Sequence, residues 1–171
     1  MSKSSENRPV LKPKPAKPDY VIESIAVLGL AASILIPVIA FKNLPDTIPT
    51  HYGFNGKADD WGSKTSIFIL PAISMILYLS LTILNKFPHT FNYPAKITAE
   101  NALRMYTMAT RVLRTIKAFV ILLFLFIEWQ TCNVSAGSKL PSWFLPAVLI
   151  VPVMLPIVFA FLLTGKGQKK S

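Results

Sequence analysis

VIESIAVLGLAASILIPVIAF, residues 21–41, carries a single charged side chain, Glu23, near its start. The hydrocarbon core of a bilayer takes about 20 helical residues, each rising about 1.5 Å. The run therefore reads as a membrane-crossing helix. A cleaved signal peptide is the competing reading. Against it, the run is long for such a segment and ends in Phe41, Lys42 and Asn43 instead of a small-x-small cleavage site.

Three further apolar stretches, at residues 66–84, 112–129 and 143–163, meet the same requirement. The composition agrees: of 171 residues, 52% are hydrophobic and 15% charged, and the mean hydropathy is +0.48. That is too apolar for an ordinary soluble domain. The expected fold is an all-α membrane protein, a four-transmembrane-helix bundle over residues 21–164. A disordered tail rich in Pro and Lys precedes it at 1–20, and a basic tail follows at 165–171.

A formal net charge of +10 would raise nucleic acid as a partner in a soluble protein. Here the positions of the charges point to a lipid bilayer instead, and no nucleic-acid partner is expected. The N-terminal tail, the segment between spans two and three and the C-terminus together hold fourteen Lys and Arg; the other side holds four, Lys42, Lys57, Lys64 and Lys139. Cytoplasmic loops collect Lys and Arg, so both termini are expected in the cytoplasm and the loop at 42–65 outside. Trp61, Trp129 and Trp143 all fall at the outer interface, where indole rings settle.

That outer loop is the most informative segment. Pro45 and Pro49 forbid a continuing helix and hold the chain extended. Asn55-Gly56 supplies the positive φ angles of a tight turn between residues 50–54 and 57–61, which is a hairpin signal. Between spans two and three the pattern becomes amphipathic, with Ala102, Met105, Ala109, Val112, Leu113 and Ile116 at helical spacing and Glu100, Arg104, Thr107, Arg111 and Arg114 on the opposite stripe. One long helix is expected, starting near Thr98 in the cytoplasmic interface and continuing into span three, with Arg114 and Lys117 snorkelling to lipid phosphates. The basic stripe reads either as an ordinary positive flank or as a docking face.

The residues Leu44-Pro45-Asp46, Ile48-Pro49, His51-Tyr52, Asn55-Gly56-Lys57-Ala58-Asp59 and Trp61-Gly62-Ser63-Lys64, followed by an apolar span with Leu70-Pro71, resemble the signature of the domain of unknown function 1648 (DUF1648). Phe91-Asn92-Tyr93-Pro94, Ile97-Thr98 and Glu100-Asn101 are similar to a cytoplasmic segment of many bacterial members of that family. The resemblance implies a multi-pass protein of the bacterial cell (inner) membrane. It also implies a relation to the N-terminal part of SdpI-type immunity and signalling proteins, which protect against a secreted peptide toxin. This chain departs from that larger type in having four apolar spans.

Sites for chemistry are few. The hairpin turn would bring His51 close to Asp59 or Asp60, but no further ligand completes a zinc or calcium shell, so no metal and no cofactor is expected. The bland reading has His51 bonded within the hairpin and the aspartates capping turns or pairing with Lys57 and Lys64. Glu23 and Glu128 lie near the ends of their spans, where each can reach the headgroups, which argues against a proton relay. Lone Cys132 excludes an intrachain disulfide. No nucleophile motif or phosphate loop is present, so an enzyme is not expected.

The reading is of a non-catalytic membrane module serving envelope stress, peptide-toxin immunity or signalling; a small transporter or transporter subunit is the alternative, and a membrane-embedded enzyme comes third. Candidate recognition residues for an extracytoplasmic peptide are Pro45, Asp46, Pro49, His51, Tyr52, Asn55, Gly56, Asp59, Asp60, Trp61, Gly62 and Lys64. Candidate contacts for a cytoplasmic protein partner are Asn92, Tyr93, Pro94, Glu100, Arg104 and Arg111. Four spans bury a modest interior, which favours a homodimer.

Overall fold

The computed structural model describes residues 8–53, 55–134, 141–144, 146–147, 150–151, 153–154 and 157. Helix α1 runs over Lys17–Ala40, a hairpin of β1 (Thr47–Tyr52) and β2 (Ala58–Ser63) follows, then α2 (Ile69–Leu84) and α3 (Ala102–Val134), with short 3-10 turns between them. The expected spans at 21–41 and 66–84 are both helical. Two stretches, Lys17–Asn43 and Lys64–Leu84, are long and apolar enough to cross a membrane. α3 has 33 residues but carries Lys117 and Glu128 in its interior. Most of the span expected at 143–163, the whole basic tail at 165–171 and the first seven residues lie outside the described residues.

Helix α1 begins four residues before the expected boundary. Pro18 sits in its first turn, where its missing N–H costs nothing. The carboxylate of Asp19 accepts from the Ala16 N–H at 2.7 Å, so Asp19 caps the helix instead of belonging to a tail. The rest of the described tail is also held. Arg8 donates to the carbonyls of Phe91 (2.7 Å) and His89 (3.2 Å) and stands 5.7 Å from the Tyr93 ring centre. The expected disorder of residues 1–20 therefore does not extend to residues 8–20.

Helix α3 starts at Ala102 and not at Thr98. The Asn101 side chain takes the Thr98 N–H and gives its own N–H to the Lys96 carbonyl, which keeps residues 98–101 in a turn. Alongside, the Thr98 hydroxyl bonds the exposed Glu100 carboxyl and holds it below its usual range.

α1 packs chiefly along α3, and α2 closes against both. The buried face of α1 repeats every seven residues through Asp19, Ala26 and Ser33, and again through Leu30 and Pro37, the spacing of a left-handed helix pair. Small residues on that face let the backbones approach. A Cβ on Gly29 would stand 3.2 Å from both Ile121 Cγ2 and Leu122 Cδ2. Three apolar clusters stack along the molecule: Leu44, Ile48 and Ile67 at the hairpin end, Ala26, Leu30, Ala118 and Ile121 in the middle, and Ile97, Ala102, Met105 and Tyr106 at the opposite end. Outward, α1 and α2 present Val21, Leu28, Leu35, Val38, Ile39, Ile69, Ile76 and Leu79 to the surroundings. A water-soluble monomer rarely exposes so continuous an apolar surface; lipid tails accept it.

The hairpin forms as expected but with longer strands, because pairing extends down to Thr47 opposite Ser63. Its turn is wider than the Asn-Gly pattern suggests. The Gly56 N–H donates to Gly53 O and the Gly53 N–H to Lys57 O, and among the described residues only Gly56 has a positive φ, at 73°. Asn55 instead keeps ordinary φ and accepts from the Lys57 N–H through its side chain. An isolated two-stranded hairpin is marginal; this one is anchored by Ile48, which is 1% exposed, and by the Lys64–Asp46 bridge at its base, 3.1 Å.

Candidate functional site

Two polar regions lie at opposite ends of the α1–α3 seam. The first is a set of ion pairs between the start of α1 and the first half of α3. Arg111 donates to both carboxylate oxygens of Asp19, at 2.8 and 3.1 Å, and Arg114 approaches the same group at 3.7 Å. One turn further, Lys117 Nζ donates to Glu23 (2.7 Å) and Thr82 (2.8 Å), and the Tyr78 hydroxyl donates to Glu23 at 2.7 Å. Lys117 and Asp19 are each 2% exposed. Here the structure corrects the sequence reading: Lys117 does not snorkel outward; Arg111 is bonded to Asp19 while its side chain stays 39% exposed. Charges this deep persist only when paired and hydrogen-bonded.

At the hairpin end, the inner face of β1 and the nearby ends of α2 and α3 enclose a half-open cleft of about 320 Å³. Ile48, Pro49, Thr50, His51 and Tyr52 form one wall; Ser66, Ile67, Ile69 and Leu70 form the second; Ile127, Glu128, Thr131 and Phe144 complete it. The volume falls in the range of small-ligand sites. Glu128 was expected to reach the headgroups; it is instead fully buried, with one carboxylate oxygen accepting from the Ser33 hydroxyl at 2.8 Å. Tyr52 and Thr131 bond each other through their hydroxyls at 3.2 Å, tying strand to helix. Burial pushes the Tyr52 phenol up, so it remains an O–H at neutral pH.

The expected recognition residues divide between strands. Pro49, His51 and Tyr52 on β1 line the cleft. Asp46 and Lys64 close the hairpin base, Pro45 precedes it, and Asn55 and Gly56 form the turn. Across to β2, Asp59 Oδ1 stands 2.5 Å from His51 Nδ1 of β1 in an exposed pair, the Asp60 carboxylate accepts from the Trp61 N–H, and Trp61 points out, 54% exposed. Gly62 faces Ile48, and a Cβ there would meet Thr50 at 2.8 Å. Lys64 thus pairs with Asp46, not with Asp59 or Asp60. Among the described residues no group of three His, Cys, Asp or Glu gathers to hold a metal ion.

The expected cytoplasmic face lies at the opposite end. Asn92, Pro94, Glu100 and Arg104 are exposed. Tyr93 turns inward, donating to the Pro88 carbonyl at 2.8 Å with its ring 5.7 Å from that of Tyr106, and burial pushes its phenol up. Sequence reading missed the pairings of Asp19, Glu23, Tyr78 and Thr131 and the acid that the Ser33 hydroxyl meets. Their signal was the seven-residue repeat of α1, which puts Asp19 and Glu23 at the same end as Arg111, Arg114 and Lys117 once α1 and α3 run side by side.

Residues 28–75, from mid-α1 through the hairpin into α2, match the family described as Domain of unknown function (DUF1648). An uncharacterised protein of Archaeoglobus fulgidus is 28% identical over 150 residues, covering 80% of this chain and 81% of that protein. No solved structure matches. The matched family segment contains both strands and most of the cleft wall, but neither Glu128 nor Lys117.

Proposed function

We propose that this chain is a non-catalytic membrane module that recognises an extracytoplasmic ligand in the cleft under its hairpin and passes the event to the opposite end through the α1–α3 seam. The observation that carries this is the cleft itself: a strand wall, a buried carboxylate and apolar sides meet at one end of two membrane-length helices. The charge distribution supports an outside hairpin and cytoplasmic termini. α3, with ten apolar residues in succession at 118–127, would be the third crossing and the stretch at 143–163 the fourth. Peptide-toxin immunity, envelope-stress sensing and signalling all fit such a module, with the exposed Asn92, Pro94, Glu100 and Arg104 meeting a cytoplasmic protein.

A small transporter is the competing reading, and buried Glu128 favours it. Against it stands the apolar cluster of Ala26, Leu30, Ala118 and Ile121, which lies between Glu128 and the Glu23–Lys117 pair. A photo-crosslinking residue at exposed Thr50 tests recognition: in native cells it should capture a discrete adduct that is lost when Ile67→Trp fills the cleft. An adduct unchanged by filling would remove the cleft from the mechanism.

A further inference from the structure

Building on the recognition reading, we infer that the cleft takes a lipophilic cation, an alkylammonium-like group on an apolar body, with Glu128 as its counter-ion. One carboxylate oxygen of Glu128 is satisfied by Ser33, and the other, Oε2, has no hydrogen-bond partner among the described residues although the group is fully buried. A carboxylate in an apolar site demands either a proton or a cation.

Three cations of α3 are committed elsewhere. Lys117, Arg111 and Arg114 lie across the apolar belt, each against Asp19 or Glu23. Eleven positions along α3 separate Lys117 from Glu128, about 16 Å at about 1.5 Å per residue. Among the other polar groups of the cleft, His51 is paired with Asp59, and Tyr52 with Thr131.

The remaining walls select the kind of cation. Ile48, Ile67, Ile127 and Phe144 offer an apolar lining, and the aromatic faces of Tyr52 and Phe144 attract positive charge. A bare metal ion would need several oxygen ligands, and a single carboxylate does not supply them. An anion would meet Glu128 with like charge, and an uncharged apolar ligand would leave Oε2 unpaired.

The test uses the full chain in lipid nanodiscs, with hexylamine, hexan-1-ol and hexanoate as probes of equal chain length and binding to empty nanodiscs subtracted. Hexylamine should bind tighter than hexan-1-ol by about tenfold or more, the scale of one charge-assisted hydrogen bond in an apolar site. Hexanoate should bind weakest. Glu128→Gln, which keeps an acceptor for Ser33, should erase the advantage of the amine while leaving hexan-1-ol binding as it was. Ser33→Ala, which keeps the carboxylate, should preserve that advantage and so provides the test if the first variant misfolds. Equal affinity for amine and alcohol would overturn the inference while leaving a working cleft, as would an amine preference that survives Glu128→Gln. Binding of none of the three would also overturn it, and the Thr50 crosslink then decides separately whether the cleft recognises anything.

Discussion

Asp19 and Glu23 on α1 face Arg111, Arg114 and Lys117 on α3, so at one end of the seam each of these acids has a base. At the other end Glu128 is hydrogen-bonded to the Ser33 hydroxyl, and no described cation pairs with it. The two helices and the seven-residue repeat are the same in both regions, yet the chemistry differs. A matched ion pair is closed to ligands and fixes register, because sliding one helix past the other would leave charges buried alone. An acid without a base keeps an unmet electrostatic demand, and it does so where a cleft opens.

The sharpest way to break this contrast is to unmatch the matched end. Glu23→Ala leaves Lys117 buried with the Thr82 hydroxyl and the Tyr78 ring but no carboxylate, and should destabilise the protein by about 3 kcal/mol, the lower end for a broken buried pair because Glu23 is partly exposed. Adding Lys117→Met should restore most of the loss, as followed by thermal unfolding in nanodiscs. If the single variant unfolds like wild type, the pair does not lock the seam. Next comes the belt between the regions. Gly29→Val places methyl groups against Ile121 and Leu122, already 3.2 Å from a bare Cβ, and should cost about 2 kcal/mol by overpacking. A neutral result would mean that the helices are not in close contact there.

Smaller effects sharpen the other side. Glu128→Gln keeps the Ser33 bond and removes a buried carboxylate that no described cation compensates, so stability should hold or rise. A loss as large as that of Glu23→Ala would reveal a structural partner for Glu128 and end the distinction. His51→Ala removes an exposed pair and should cost at most about 0.5 kcal/mol; a larger loss would show that the hairpin depends on that pair rather than on buried Ile48.

The sequence showed the apolar helices and the hairpin clearly, because length, hydropathy and the Pro and Asn-Gly signals are local properties. It brought His51 and Asp59 together for the same reason: eight residues around a turn have few alternatives. The pairings across the seam were hidden because Asp19 and Arg111 are ninety-two positions apart and Glu23 and Lys117 ninety-four, and a membrane flank rich in Lys looks alike whether its cations snorkel or turn inward. Arg111 was assigned outward on helical spacing alone, which cannot register a carboxylate arriving from another helix. The cleft depends on how the hairpin folds back over α3 through Tyr52 and Thr131, a long-range contact with no local signature.

Both regions have meaning only if they face opposite sides of a membrane. In a Cys132→Ser background, a cysteine at the hairpin turn (Asn55→Cys) should react in intact cells with a membrane-impermeant maleimide, while one at Lys86→Cys should react only after permeabilisation. Labelling in the reverse order, or equal labelling of both before permeabilisation, would contradict a recognition cleft outside the cell joined to an ion-paired end of the α1–α3 seam toward its inner face.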